Sequence, residues 1–215
     1  MQLFDFSRSI LGEHIRKRTY LWDILKDLKQ IIPSIVKDLP LEEYDEILEG
    51  VFAHKTAKIA PSAHIEGFTI IGKDTEVRHS AFIRGSAVIG DGVVIGNSCE
   101  VKNSIIFDGA QIPHFNYVGD SIIGYKAHLG AGVILSNLKS DKLEVCVDVG
   151  GAKIATGMRK LGSLIGDCAE IGCNCVLNPG TIIGKNAIIY PLSSIRGTVF
   201  DAVIYKSSSK IVKRV

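Results

Sequence analysis

Branched apolar residues recur every six positions along the middle of the chain, a period that neither an α-helix nor an isolated strand produces. The first run is Ile59, Ile65, Ile71, Val77, Ile83, Ile89, Ile95 and Val101. The fourth residue after an anchor of this run is small or short, as in Ala63, Thr69 and Ala81. Each six-residue unit is therefore expected to point one branched and one small side chain at a common crowded axis.

The six-residue period is interrupted twice, between Phe107 and Val118 and again across residues 136–164. The later anchors are Ile123, Leu129, Leu135, Ile165, Ile171, Leu177, Ile183, Ile189 and Ile195. Such a short fixed period predicts a mainly β solenoid, in which each repeat buries its apolar face against its two neighbours. With three hexapeptides per turn, the repeat resembles the single-stranded left-handed parallel β-helix of hexapeptide-repeat transferases. The handedness is implied by that resemblance, because ordinary parallel crossovers are right-handed.

The N-terminal part of the chain has a helical pattern instead. Apolar residues from Leu21 to Ile32 follow helical spacing, and Pro33 is expected to end or kink that helix. Leu21, Trp22 and Ile24 are predicted to pack on the first coil as a cap, because a terminal repeat needs its open end covered. A helix that binds a partner protein is the alternative.

A second short helix is predicted over residues 41–48. Pro40 stands near its first position and Gly50 at its exit, which are favoured places for these two residues. The first fifty residues are therefore expected to form an N-terminal helical segment.

The chain divides into three parts by these patterns. Residues 1–50 form the helical segment, residues 51–205 the β-helix, and residues 206–215 a C-terminal tail. The β-helix is expected to carry a long inserted loop over residues 137–162, and loops of this length inside a domain are usually functional. Within it, residues 143–149 alternate well enough for a short hairpin strand.

Composition and charge exclude several classes of function. With 215 residues and 46% hydrophobic content, the chain can form one domain with an appendage. A formal net charge of +2 leaves no electrostatic footprint for nucleic acid. The sequence has no run of eighteen apolar residues and no charged-then-apolar leader. A cytoplasmic protein that does not enter the membrane is therefore expected.

The cysteines are predicted to be free thiols. Their odd number argues against a disulfide framework, and two of them, Cys99 and Cys175, occupy small inward positions of the repeat. This favours a reducing compartment. No metal site is predicted.

Polar residues capable of acid–base chemistry concentrate at residues 111–120, where the period is first lost. His114 is the best candidate for a general base there, because imidazole titrates near neutral pH and can take a proton from an attacking amine or hydroxyl. A turn histidine that bonds only to backbone is the alternative.

A more specific resemblance comes from residues 100–103, 114–120, 123–124, 129–132 and Asn137. In identity and spacing they resemble the acetyltransferase domain of the bifunctional N-acetylglucosamine-1-phosphate uridyltransferases, which act in UDP-N-acetylglucosamine biosynthesis. Related sugar-1-phosphate nucleotidylyltransferases with a β-helical C-terminal domain are similar as well. The resemblance covers roughly residues 22–205.

The resemblance implies an acetyl-CoA-dependent N-acetyltransferase acting on an amino-sugar phosphate such as glucosamine 1-phosphate. It makes His114 the base that deprotonates the amino group and Tyr117 a residue that positions the amino sugar. Arg84 and Lys102 fall where the family keeps cations for the sugar phosphate, and Asn137 where it keeps a substrate-binding asparagine. Arginine and lysine can hold a phosphate dianion, and asparagine can orient an amine.

The same resemblance implies a donor site and an oligomer. Acetyl-CoA would lie in a groove between the β-helices of a homotrimer, with Ala131 at its thioester end. Cys173, Tyr190 and Pro191 align with positions that contact the pantetheine arm. Basic residues after position 205, such as Lys206, are expected to belong to a solvated tail.

The chain departs from the uridyltransferases in two respects. No glycine-rich nucleotide loop precedes the helical segment, and about fifty residues are too few for a nucleotidyltransferase domain. A separate nucleotidyltransferase is therefore a candidate partner. His128 stands where those relatives have an asparagine near the amino sugar, which leaves the acceptor and the acyl group open.

Two other functions remain open from the residues alone. The first is a non-catalytic β-helical assembly or sugar-phosphate-binding subunit, suggested by the missing domain and by His128. The second is a γ-class carbonic anhydrase, which shares this fold and binds zinc through three histidines. The chain offers no histidine pair with the five-residue offset that the closely spaced ligands of that class need.

Overall fold

The six-residue period forms a parallel β-solenoid of about nine turns, which confirms the predicted fold class. The structure is a computed structural model that describes residues 2–214. Each unit becomes a short strand, and each turn passes through three sheets, called I, II and III in chain order. Anchors such as Ile83, Ile89 and Ile95 point inward and are fully buried, because the coils stack them into one apolar column.

The solenoid strands are short because each turn has three sides, one in each sheet, and each side is only a few residues long. Before the inserted loop the strands are β1 Tyr44–Leu48, β2 Val51–His54, β3 Lys58–Ile59, β4 His64–Ile65, β5 Thr69–Ile71, β6 Glu76–Val77, β7 Phe82–Ile83, β8 Ala87–Ile89, β9 Val94–Asn97, β10 Glu100–Lys102, β11 Ser104–Ile106, β12 Gln111–His114, β13 Tyr117–Gly119, β14 Ile122–Ile123, β15 His128–Leu129 and β16 Ile134–Leu135. The remaining strands are β17 Cys146–Val149, β18 Ala152–Ala155, β19 Ser163–Ile165, β20 Glu170–Ile171, β21 Val176–Leu177, β22 Thr181–Ile183, β23 Ile188–Ile189, β24 Ser194–Ile195, β25 Thr198–Val199, β26 Val203–Ser207 and β27 Lys210–Lys213.

The three sheets run the length of the solenoid. Sheet I has the order β1-β2-β5-β8-β11-β14-β19-β22-β25, and sheet II the order β3-β6-β9-β12-β15-β20-β23-β26-β27. Sheet III has the order β4-β7-β10-β13-β16-β21-β24. Neighbouring strands are parallel except at the two ends, where β1 pairs antiparallel with β2 and β26 with β27. The predicted tail therefore contains a strand that closes the last coil.

A second apolar core lies on the outer face of sheet I. Six strands of this sheet carry two consecutive branched apolar residues, so one points inward and the other outward. The buried outward residues are Ile70, Val88, Ile105, Ile122, Leu164 and Ile182. The N-terminal segment covers them with two 3₁₀ turns, Phe6–Arg8 and Leu21–Lys26, and two helices, α1 Gly12–Arg16 and α2 Leu28–Lys37.

The predicted cap is buried as expected, but it lies elsewhere. Trp22 and Ile24 are buried in the core against the flank of sheet I rather than over the open end of the first coil. The outward apolar row of sheet I is far larger than one coil end, so covering it removes more apolar surface from water. Pro33 does not end the helix, because α2 continues through it to Lys37.

The predicted helix over residues 41–48 is wrong. Residues Tyr44–Leu48 form strand β1, which pairs with β2 through a tight turn at Gly50. The Tyr44 ring also packs edge-on against the His54 ring, with centroids 5.2 Å apart. Pairing with the open edge of sheet I outweighs the weak helical propensity of the segment.

The interruption predicted between Phe107 and Val118 is also wrong, because the anchors there are shifted in register rather than lost. Ile112 and Val118 are buried anchors, and β12 pairs in register with β9. Phe82 and Val88 are six residues apart, whereas their partners Glu100 and Ile105 are five apart. One residue is missing at the corner between β10 and β11 and another at the corner between β13 and β14, so the anchors move by one position after each.

The inserted segment leaves the solenoid after β16 and returns at β19. As predicted, part of it forms a hairpin, in which β17 pairs antiparallel with β18. Val145 and Val147 are buried in the second core, so the hairpin helps to cover sheet I. Sheets II and III keep outer faces that this second core does not include.

Candidate active site

Three successive turns place polar residues at the edge where sheet III passes into sheet I. The short corners of two turns centre on Asn103 and Asp120, whose backbone is left-handed with φ of 45° and 49°. Asparagine and aspartate adopt this conformation more readily than other non-glycine residues. In the third turn, the inserted segment begins at this corner with Asn137. We call Asn103, Asp120 and Asn137 the III–I edge.

Asp120 is the centre of a buried polar network at this edge. Its side chain is only 6% exposed and lies among three donors. Lys102 Nζ is 3.3 Å from Oδ2, Asn103 Nδ2 donates to Oδ1 at 2.8 Å, and Asn137 Nδ2 donates to Oδ2 at 2.5 Å. Asn103 Nδ2 also lies 3.3 Å from the Leu25 carbonyl oxygen, which ties the edge to the N-terminal segment.

Tyr117 joins this network from the first position of β13. Its hydroxyl oxygen accepts a hydrogen bond from Asn137 Nδ2 at 3.1 Å. Burial, followed by the nearby Asp120 carboxylate, raises the pKa of the Tyr117 phenol, so the group stays protonated at neutral pH. The Tyr117 ring has room because Gly119 has no side chain. A Cβ at Gly119 would lie 2.5 Å from the Tyr117 oxygen and 2.7 Å from Asn137 Nδ2.

Gly119→Ala is therefore expected to displace the Tyr117 ring and to break its hydrogen bond with Asn137. The loss should lower the free energy of unfolding by about 1 kcal/mol, the usual net worth of such a bond. Urea denaturation measures this. In a Tyr117→Phe background, which already lacks the hydroxyl, the same glycine substitution should cost less. Equal costs in the two backgrounds would contradict the assignment.

Arg84 and Lys102 occupy equivalent positions at the end of sheet III in adjacent turns. The Arg84 amide donates to the Val101 carbonyl at 2.8 Å, which fixes this stacking. Each cation has a carboxylate partner: Arg84 Nη1 lies 2.8 Å from Glu100 Oε1, and Lys102 contacts Asp120. The Arg84 side chain is 43% exposed, so its remaining N–H groups are open to an incoming anion.

His114 lies on the other side of sheet III, at the end of β12, and is exposed. Its backbone N–H donates to Asn116 Oδ1 at 3.1 Å, and its carbonyl accepts from Gly132 N at 3.0 Å. Asn116 is buried and donates to the Gly130 carbonyl at 2.7 Å. These bonds hold the backbone of His114 while its ring reaches solvent.

The four predicted donor-site residues lie above His114, along the edge where sheet II passes into sheet III. Asn174 N donates to the Ala131 carbonyl at 2.8 Å, and Leu192 N donates to the Cys173 carbonyl at 2.9 Å. Tyr190 and Pro191 precede Leu192 in that top turn. Successive turns are about 4.8 Å apart, the spacing of paired strands. We call His114 and the four residues Ala131, Cys173, Tyr190 and Pro191 the II–III edge.

The end of the chain also reaches this edge. Lys206 Nζ lies 5.4 Å from the centroid of the Tyr190 ring, over its face. Lys206 belongs to β26, so it is held in the last coil rather than in a free tail.

His128 stands apart from both edges, on the outer face of sheet II. It pairs in register with Gln111 and Glu170. Its Nδ1 lies 2.9 Å from Glu170 Oε2, in an ion pair that forms when the imidazole is protonated. Within one chain His128 does not contact Tyr117 or Asn137 in the region that the structure describes.

The structure thus brings the predicted residues into two groups separated by sheet III. Lys102 and Tyr117 contact the III–I edge, to which Asn137 belongs, and Arg84 lies in the turn next to Lys102. His114 lies with the donor-site residues. The sequence interpretation did not select Asp120, Asn103 or Asn116 as site residues. For the first two, the available signal was the shortening of the anchor spacing from six residues to five.

Residues 2–214 have neither a membrane-spanning helix nor a cluster of metal ligands. None of their helices is long and apolar enough to cross a membrane. Nor do these residues contain a group of three or more His, Cys, Asp or Glu side chains that could hold a metal ion.

Two family models match the chain. The model described as the GMPPB C-terminal domain matches residues 74–157. The model described as bacterial transferase hexapeptide (six repeats) matches residues 162–197.

Several curated proteins are similar to this chain. The bifunctional protein GlmU of Methanocaldococcus jannaschii is 34% identical over 214 residues, which cover 90% of this chain and 48% of that protein. The bifunctional sugar-1-phosphate nucleotidylyltransferase/acetyltransferase of Sulfurisphaera tokodaii is 48% identical over 92 residues, 43% of this chain and 23% of that protein. The chain spans less than half of the length of these relatives.

Among solved structures, the chain is similar to the acetyltransferase domain of PglB from Neisseria gonorrhoeae FA1090 in complex with acetyl coenzyme A. The TM-score is 0.40 at 16% sequence identity, and the match covers 86% of this chain and 66% of that one.

Proposed function

We propose, on the premise that this chain belongs to the hexapeptide-repeat family, that it transfers an acetyl group from acetyl-CoA to the amino group of a sugar phosphate such as glucosamine 1-phosphate. The observation that carries the proposal is the pair of edges that flank sheet III. One edge presents an exposed imidazole beneath a column of donor-site residues, and the other presents a buried polar network beside two cations. The acetyltransferase activity in the name of the Sulfurisphaera tokodaii relative supports the same chemistry.

His114 would act as the general base. It would take a proton from the acceptor amine while the amine nitrogen bonds to the acetyl carbonyl carbon. The carbon–sulfur bond then breaks, and the proton ends on the departing CoA thiol. The backbone bonds through Asn116 and Gly132 support this role, because they hold the His114 main chain at a constant position. General bases of this kind typically contribute about 10²–10⁴-fold to a rate.

The donor would run along the II–III edge, from Ala131 to Pro191. Exposed groups there fit a long apolar arm with polar breaks: Tyr190 is 41% exposed, and Leu192 is 80% exposed. Lys206, which lies over the Tyr190 ring, places a cation where a CoA phosphate could lie.

The acceptor would bind at the III–I edge. Arg84 has five N–H donors, so it can keep its bond to Glu100 and still hold a phosphate oxygen. Lys102 would supply a second cation, and Tyr117 and Asn137 would contact the sugar.

We further propose that the working unit is a homotrimer. The outer face of sheet I is covered by the N-terminal segment and the β17–β18 hairpin. The outer faces of sheets II and III lack this cover, so copies would pack through them, which would bring the II–III edge of one copy toward the sheets of the next. Sedimentation equilibrium should give three times the chain mass, and a fully active monomer would contradict this arrangement.

Acetyl transfer by the purified protein tests the proposed function. Free CoA thiol should appear when the protein is given acetyl-CoA and either glucosamine 1-phosphate or galactosamine 1-phosphate. The rates of thiol release with the two sugars show which one the enzyme prefers. Glucose 1-phosphate is the matched control for glucosamine 1-phosphate, because it differs only by a hydroxyl in place of the amine, and it should release no thiol above background. If no amino-sugar phosphate supports thiol release, the proposal fails.

A binding subunit without catalysis is the second candidate. It is favoured by one observation, that His114 does not contact the III–I network within a single chain over residues 2–214. Calorimetry separates the two, because the enzyme should bind both the sugar phosphate and acetyl-CoA. Binding of the sugar phosphate without acetyl-CoA would favour the subunit. If the chain is the enzyme, the partner we propose is a nucleotidyltransferase that consumes the acetylated sugar phosphate.

A further inference from the structure

We infer that Asp120 is a positioning residue, which holds the Asn137 amide with its oxygen facing the acceptor and so tunes the site to a substrate nitrogen that donates hydrogen bonds. The inference rests on the proposed function. The III–I edge would recognise the nitrogen of the acceptor through Asp120, a residue to which the resemblance gave no role.

The orientation of Asn137 follows from its two partners. A carboxylate only accepts hydrogen bonds, so the group that faces Asp120 Oδ2 at 2.5 Å must be the NH₂ of the amide. The second hydrogen of that NH₂ reaches the Tyr117 oxygen at 3.1 Å. Both amide hydrogens are therefore in use. No hydrogen bond reaches Asn137 Oδ1 from residues 2–214, which leaves this oxygen available as an acceptor.

The surroundings of Asp120 keep it in this role. Lys102 and Asn103 donate to it as well, so three donors converge on one buried carboxylate. The backbone is held too, because Asp120 N donates to the Lys102 carbonyl at 2.9 Å and the Asp120 carbonyl accepts from Gly162 N at 2.9 Å. Asp120 thus links two turns of the solenoid to the end of the inserted segment.

The same hydrogen bond makes Tyr117 a donor toward the substrate. Its oxygen accepts from Asn137, so its own O–H hydrogen is free to point elsewhere. The edge therefore offers one acceptor, Asn137 Oδ1, and one donor, the Tyr117 hydroxyl. A substrate ammonium or amine suits the acceptor, because a charged N–H donor forms a stronger hydrogen bond than a hydroxyl does. A sugar or phosphate oxygen suits the Tyr117 donor.

Asp120→Asn tests the inference. An asparagine at this position can donate as well as accept, so the Asn137 amide is no longer held in one orientation. We expect the KM for glucosamine 1-phosphate to rise about tenfold or more, as misplaced substrate-binding groups commonly cause. The KM for acetyl-CoA should stay the same. Calorimetry should show that the preference for glucosamine 1-phosphate over glucose 1-phosphate is lost.

Asp108→Asn is the matched control. Asp108 is a corner aspartate of the same solenoid, on the edge between sheets I and II, and its carboxylate accepts from the Asp91 N–H at 2.9 Å. It lies outside both proposed half-sites. This variant should change stability but leave both KM values and the amine preference as they are.

Asn137→Leu and a double-mutant cycle separate positioning from folding. If Asp120 acts through Asn137, Asp120→Asn should add little once Asn137 is leucine. Should Asp120→Asn fail to fold, Asn137→Leu carries the test and should by itself abolish the amine preference. A folded Asp120→Asn protein that keeps its KM and its preference overturns the inference. If the wild-type protein neither binds nor acetylates any amino-sugar phosphate, the proposed function fails first and the inference with it.

Discussion

His114→Ala is expected to lower kcat for acetyl transfer to an amino-sugar phosphate by about 10²–10⁴-fold, the usual contribution of a positioned general base. The KM for acetyl-CoA should change little, since the donor-site residues of the II–III edge stay in place. The ring of His114 is exposed at the end of β12, so its removal leaves no buried cavity. The measurement is steady-state release of CoA thiol, with circular dichroism to show that the variant is folded.

His79→Ala is the control that the solenoid itself provides. His79 stands in the same column as Asn97 and His114, two turns below, and is likewise exposed. At about 4.8 Å per turn its ring lies roughly 10 Å from the proposed base. The His79→Ala variant should therefore retain wild-type kcat. Wild-type activity in both alanine variants would remove His114 from the mechanism. An equal loss of activity in both would indicate damage along the whole edge.

Gly96→Ala, which adds a single methyl group, is expected to destabilise the protein more than any other glycine-to-alanine substitution near the site. A Cβ at Gly96 would overlap the backbone of Pro113 in the next turn, and backbone cannot turn aside as a flexible side chain does. Overpacking of this kind costs about 3 kcal/mol of the free energy of unfolding. It should also move β12, which carries His114, so kcat should fall with stability. Urea denaturation and the thiol assay measure the two effects.

Gly92→Ala separates this clash from a general intolerance of alanine. Gly92 belongs to the same turn, and a Cβ added there would meet no atom within 4 Å, but its φ is +62°. Alanine at this position therefore bears only the cost of the left-handed backbone, about 1–2 kcal/mol. It should leave kcat unchanged. A Gly96→Ala protein as stable and active as this control would contradict the predicted clash with Pro113.

The register of the repeat shows how far the sequence could be interpreted. The six-residue period predicted the solenoid because each anchor must reach the same axis, and that requirement is local. The same period was misinterpreted after Val101, where the next anchor is Ile106 rather than the residue after it. A one-residue deletion at a corner leaves the strands intact, so the apparent interruption after Phe107 consists of two ordinary strands, β12 and β13.

The sequence contains a second pattern, beyond the six-residue period, that predicts an apolar outer face on sheet I. In six hexapeptides of sheet I the anchor is preceded by a second branched apolar residue, as in Ile70–Ile71, Ile105–Ile106 and Ile182–Ile183. A doublet on a strand places one apolar residue on each face, and the outer row needs a partner. The helical segment meets that need along the flank of the solenoid, which explains why it does not close the open end.

The sequence by itself determined the solenoid, its buried anchors and, through a resemblance carried by residue spacing, the candidate roles of His114 and Tyr117. These depend on short-range order, because a six-residue unit specifies its own inward face. Only the tertiary structure decided which polar residues meet. Asn103, Asp120 and Asn137 come together because coils stack in register, and Ile134 pairs with Val176 across the inserted segment. Stacking makes neighbours of residues that are far apart in the chain, and no local pattern encodes that distance.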